Sequence, residues 1–171
     1  MITEEMRALV GTAMDEQTSY PIAASDIRRW ALAVYHPDRP PPEFWDEDDP
    51  VTIAAGGLVA PDEFNPLAWT AQDPRPRFSD PGLPVAKVGA FEAALGVEPP
   101  AFRAVLQGEI RARYGVVRMR PGDVIHSVSS ISEYFEREGR MGLQLYTTIS
   151  EVLTNQDGEW VKTIDTVFVR Y

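Results

Sequence analysis

The feature that most constrains this chain is the unbroken succession of long alternating runs and tight turns from Gln107 to Tyr171. Between Gly142 and Thr154, Leu143, Leu145, Thr147 and Ile149 alternate with Gln144, Tyr146, Thr148 and Ser150. A period of two sends the two sets to opposite faces of a strand. The breaks between runs carry turn chemistry. Arg120-Pro121-Gly122-Asp123 has proline at its second position, Glu138-Gly139 suits a hairpin, and Asn155-Gln156-Asp157-Gly158 ends on an Asp-Gly pair. Residues 107–117, 124–136, 142–154 and 160–171 are therefore expected as strands. They run to about twice the usual ~5–6 residues, so they are expected to curl, and a curled sheet needs an occupant.

The occupant is legible in the first third. Ile27, Trp30, Ala31 and Val34 recur at i, i+3, i+4 and i+7 and make one apolar stripe. Ser25 is the expected N-cap, Asp26 complements the helix dipole, and Pro37 ends the helix. A short helix over Glu4–Val10 precedes it, followed by an extended lead-in, and Pro21 keeps Tyr20 out of helical geometry. Prolines at 66, 74, 76, 81 and 84 predict a long irregular loop from Asn65 to Pro84, and Phe91–Leu95 a short helix stopped by Gly96. One domain over 1–171 is expected, an α+β architecture with a curled antiparallel sheet wrapped around a central helix.

Charge and composition narrow the function. The net charge of −10 lies in residues 1–100, which hold 17 acids and 7 bases. An acidic chain repels phosphate backbones, so nucleic acid is not an expected partner. The absence of cysteine excludes disulfides, a thiolate nucleophile and a Cys-ligated zinc site. No apolar run approaches the ~18 residues of a membrane span, and the acidic N-terminus has no apolar signal core, so the expected location is cytoplasmic. Arg103, Arg111, Arg113, Arg118 and Arg120 gather in sequence. That cluster is either a solvated, ion-paired strand surface or a site for a phosphorylated ligand such as coenzyme A.

Several further segments have an ordered place in the sequence. Gly57-Leu58-Val59-Ala60-Pro61 with Phe64 follows the helix and its Pro- and acid-containing turn. Arg120-Pro121-Gly122-Asp123, Glu138-Gly139-Arg140-Met141-Gly142 and Thr154-Asn155-Gln156-Asp157-Gly158-Glu159 come after it. In that order and spacing the chain resembles the MaoC-like hot-dog dehydratase family, and in particular its N-terminal half-domain. The resemblance implies a hot-dog fold. It also implies hydration of 2-enoyl thioesters, or dehydration of 3-hydroxyacyl thioesters, on coenzyme A or an acyl carrier, with no further cofactor.

The family's acid–base pair is an Asp and a His in an Asp-x-Asn-Pro-x-His type motif after the long helix. Here the corresponding stretch, Tyr35 to Asp46, does not match, and the histidine place falls on or next to Phe44. The resemblance implies a remedy. Such half-domains pair with a second hot-dog subunit that carries the Asp/His pair, while the degenerate chain shapes the acyl tunnel. Some pairs act on bulky acyl groups, including steroid side-chain thioesters. Alternatives are a self-sufficient homodimeric hydratase and an acyl-thioester binding protein without chemistry.

Candidate site residues follow. His36 and Asp38 are the chain's only His–Asp neighbours and are the candidate acid–base pair; a helix-end histidine interacting with the dipole is the plainer alternative. Gly57, Leu58, Val59, Ala60, Pro61 and Phe64 are expected to face substrate, since a Gly-Gly pair lets backbone N–H groups approach a thioester carbonyl. Trp69 is expected to touch substrate or partner. His126 reads as a strand histidine, and Asp46-Glu47-Asp48-Asp49 as a solvated turn that lacks the spaced ligands of a calcium loop. No metal site is expected.

Overall fold

Five strands form one antiparallel sheet in a computed structural model that describes residues 1–68, 89–140 and 142–171. Trp69, Met141 and most of the proline-rich loop lie outside the described residues. The strands are β1 (Ala13–Thr18), β2 (Val105–Tyr114), β3 (His126–Gly139), β4 (Gly142–Thr154) and β5 (Trp160–Arg170), in the order β1-β3-β4-β5-β2. Gly139 pairs with Gly142 across the β3–β4 hairpin, and Leu153 faces Lys162 across β4–β5. This register puts Leu145, Thr147, Ile149, Glu151 and Leu153 on one face beside Lys162, Ile164, Thr166, Phe168 and Arg170.

Helix α1 spans Glu4–Ala8, with Thr3 accepting from the Met6 N–H. Helix α2 spans Ala24–Tyr35, and its N-cap is Ala23, with no side-chain cap bond. Ser25 is therefore already inside the first turn, where its carbonyl accepts from Arg29 Nε at 3.2 Å. Ile27 and Ala31 are fully buried, but Val34 is 55% exposed, so the apolar stripe stops one turn short of its expected length. A third helix, α3 (Pro50–Ala54), opens with Asp49 as N-cap and proline at its first position.

The helix-wrapping expectation is overturned. The sheet is open: β1 and β2 are separate edges, and the strands neither close nor curl strongly around a helix. The reason is one of length. Twelve residues of α2 span about 18 Å, whereas the thirteen of β4 span about 43 Å. The helix therefore covers one end of one face. There Ile27 joins Ile22, Ala60, Phe64, Met119, Ile125, Leu153 and Val161 in the main core, with Trp30 packed against it. Burial of a side chain such as Ile27 contributes about 1.5–3 kcal/mol. The architecture is α+β and hot-dog-like, with the helix laid across the sheet instead of enclosed by it.

The opposite end of that face is closed by a 3-10 turn at Phe91–Leu95. Arg170 and Glu92 are both fully buried and meet in a two-pronged ion pair. The guanidinium donates to both Glu92 oxygens at 2.7 Å, to Thr147 Oγ1 at 2.6 Å and to the Gly89 carbonyl at 2.9 Å. Tyr134 adds a hydroxyl donor to Glu92 at 2.9 Å.

Candidate functional site

Among the described residues nothing covers the helix-side face of the sheet between its two covered ends, and a groove of about 460 Å³ runs there beside α2. That volume lies in the range of ligand pockets, roughly 300–1,000 Å³. Strand register supplies its floor: Glu151 and Leu153 from β4, Lys162 and Ile164 from β5, and Gln17 from β1. Trp30 forms one wall, and Glu63, Asn65 and Leu67 form another. Phe64 holds Trp30 in place edge-on, with ring centroids 5.7 Å apart and planes at 83°.

Lys162 is the unusual member. It is 3% exposed, and its ammonium donates to the carbonyls of Asp62 at 3.0 Å and Phe64 at 2.8 Å. Burial pushes its pKa down, against the opposing pull of the Glu151, Glu63 and Asp62 carboxylates. Glu151 in turn accepts the Ser127 hydroxyl at 2.6 Å. The indole N–H of Trp30 is buried and finds no acceptor. Sequence reading missed Lys162 and Glu151, because only the register shows that a lysine and a glutamate 11 positions apart share one face.

The expected site residues divide. Leu58, Val59, Ala60, Pro61 and Phe64 are buried, and Gly57 is partly exposed with φ of 107°. Their backbone is largely committed: Gly57 N–H donates to Thr52, Val59 to Glu43, Ala60 to Met119 and Phe64 to Pro61. Phe64 buttresses the groove through Trp30. Ala60 and Pro61 line a neighbouring void of only about 10 Å³, the lower limit for one water and far too small for an acyl chain. Trp69 lies outside the described residues. His36 caps the C-terminus of α2, and both its side chain and that of Asp38 are exposed and do not line the groove. His126 is exposed on β3, with Nδ1 2.9 Å from Thr18 Oγ1.

Four of the five clustered arginines, Arg111, Arg113, Arg118 and Arg120, are engaged within the fold. Arg111 pairs with Glu109 at 2.8 Å, Arg113 with Asp165 at 3.3 Å, and Arg118 with Asp62 at 3.0 Å. Arg120 donates to the carbonyls of Ala55, Gly56 and Gly57 and so ties the glycine pair to the turn at 120–123. The acid run is likewise used locally: Asp49 caps α3, and Glu47 pairs with Arg28 at 2.8 Å. Among the described residues no group of three or more His, Cys, Asp or Glu is placed to hold a metal ion. No helix among them is long and apolar enough to cross a membrane.

Solved structures share this fold. A chain of the ChsH1-ChsH2 complex from Mycobacterium tuberculosis superposes with a TM-score of 0.67 at 17% identity, covering 98% of this chain and 88% of that one. A chain of the C-terminally truncated HadBC (3R-hydroxyacyl-ACP dehydratase) complex, also from Mycobacterium tuberculosis, gives 0.54 at 19% identity, covering 94% and 99%. The MaoC-like dehydratase from Rhodospirillum rubrum gives 0.53 at 17% identity, covering 92% and 90%. At these identities the likeness is one of fold, that of the MaoC-like hot-dog dehydratases and hydratases. No curated protein sequence matches. One family profile spans residues 8–164, and by that match the chain belongs to the family described as FAS1-like, dehydratase domain region.

Proposed function

We propose that this chain is one subunit of a heteromeric 2-enoyl-CoA hydratase or 3-hydroxyacyl-thioester dehydratase. In this reading it shapes the acyl site, while a second hot-dog subunit supplies the Asp/His pair. Hydration of an enoyl thioester needs a base for water, an acid for Cα and a donor for the carbonyl oxygen. The observation that carries the reading is the position of the two histidines. The chain has the fold of these enzymes, yet neither imidazole lines the groove. His36 and Asp38 stand in solvent at the end of α2.

Two features support a partner. Strand β2 is an edge, and nine of its ten residues are exposed, including Leu106 at 55% and Ile110 at 58%. A long exposed edge with apolar side chains is a template for pairing with another sheet. The ChsH1-ChsH2 and HadBC structures are complexes of two kinds of chain. A bulky acyl group, such as a steroid side-chain thioester, is the substrate class in this proposal.

The test is turnover of crotonyl-CoA and longer 2-enoyl-CoAs by the purified chain, alone and co-expressed with a hot-dog chain from the adjacent reading frame. The proposal expects no turnover alone and turnover in the complex. Robust turnover by the isolated chain, abolished by His36→Ala, would establish the self-sufficient homodimer instead.

A further inference from the structure

We infer that the groove selects an acyl group bearing a hydroxyl remote from the thioester, held between the Lys162 ammonium and the Glu151 carboxylate. This rests on the acyl-thioester reading above and specifies the kind of acyl group.

Lys162 spends two of its three N–H bonds on the Asp62 and Phe64 carbonyls, and one remains. Glu151 accepts Ser127 on Oε1, and Oε2 remains. The two charges attract each other, yet they form no ion pair within 4.0 Å. Both line the same groove. A hydroxyl is the small neutral group that accepts from an ammonium and donates to a carboxylate at once. Seated between the two, it uses the donor and the acceptor that the fold leaves over.

The carbon skeleton of such a ligand has its own surfaces in the apolar parts of the groove, Trp30 and Leu67 on the walls and Leu153 and Ile164 on the floor. A plain alkyl chain on those surfaces would strip water from the half-buried Glu151 carboxylate and leave the third Lys162 N–H without a partner, which is the costly way to desolvate an ion. Polar residues make up five of the nine that line the groove, so it does not suit a simple fatty acyl tail.

The test compares two 2-enoyl-CoAs of equal carbon number, one with an alkyl tail and one with a hydroxyl at the distal end, on the chain assembled with its partner. The expected kcat/KM favours the hydroxylated substrate by about tenfold or more, with the difference in KM. Lys162→Met brings that ratio to about one, and Glu151→Gln lowers it while the complex stays assembled. Equal kcat/KM for the two substrates, or a ratio that neither variant moves, overturns the inference and leaves the hydratase reading standing. Turnover of neither substrate by the complex overturns the hydratase reading, and the inference with it.

Discussion

The far end of the sheet makes the sharpest prediction about stability. Glu92→Gln keeps the shape of the side chain and removes its charge. Arg170 then stays fully buried, with its counterion gone and its Nε already lacking a partner. Removing one member of a buried pair costs about 3–5 kcal/mol, because the remaining charge is stranded. For a domain of this size, each kcal/mol corresponds to roughly 2–4 °C in Tm, so the melting temperature should fall by about 6–20 °C. Urea titration should show the same loss as a lower midpoint at unchanged slope. The double variant Glu92→Met/Arg170→Met should lose less than Glu92→Gln, since it strands no charge. A pH series gives a second readout. Burial raises the Glu92 pKa, but the hydrogen bonds and charge of Arg170 outweigh it and hold the carboxyl below its ordinary 4.5. Its contribution is thus complete above pH 4.5 and is lost as pH falls through the folded value, and Glu92→Gln should flatten that acid limb. A Glu92→Gln protein within 1 kcal/mol of the parent would refute the claim that charge holds the clamp.

Gly115→Ala should destabilise by about 1–3 kcal/mol in urea unfolding. A Cβ there would stand 2.6 Å from the Trp160 carbonyl and 3.0 Å from that of Val161, both backbone atoms that cannot step aside. Lys162 has a folded pKa below its ordinary 10.5, so between the two values the unfolded chain holds the extra proton. Stability should therefore rise with pH across that window, and Lys162→Met should remove the rise in a pH series of melting temperatures. Tyr134→Phe should cost about 1.5–3 kcal/mol by calorimetry, the range for a hydrogen bond to a charged group, because Glu92 loses one donor while keeping Arg170.

Local chemistry made the sheet legible. The alternation in 142–154 returned β4 with the bounds expected, and the Asn155–Gly158 turn formed where Asp-Gly placed it. Helix α2 was readable from Ile27, Trp30 and Ala31, but not its cap, since Ala23 holds that place without a side-chain bond. Helix α3 had a signal that went unread: Asp49 followed by Pro50 is an N-cap followed by a favoured first residue. The lengths of α2 and β4 were both readable, but alternation taken strand by strand does not set one against the other, so the openness of the sheet went unread.

The groove was the least legible part. Its floor depends on register, which sets Leu153 against Lys162 and Glu151 against Ile164. Sequence reading looked instead to the Gly57–Pro61 segment, whose N–H groups are mostly engaged within the fold. The Glu92–Arg170 pair spans 78 positions, and no local pattern links residues so far apart. His36 and Asp38 were neighbours on paper and remain neighbours at an exposed helix end, away from the groove.

The most direct measurement is 2-enoyl-CoA turnover by the assembled complex after this chain has lost its own imidazoles. The account predicts that His36→Ala combined with His126→Ala leaves kcat/KM at the parent level, while alanine at the partner's motif histidine abolishes turnover. Loss of turnover on His36→Ala, in a complex that still assembles and melts normally, would contradict it.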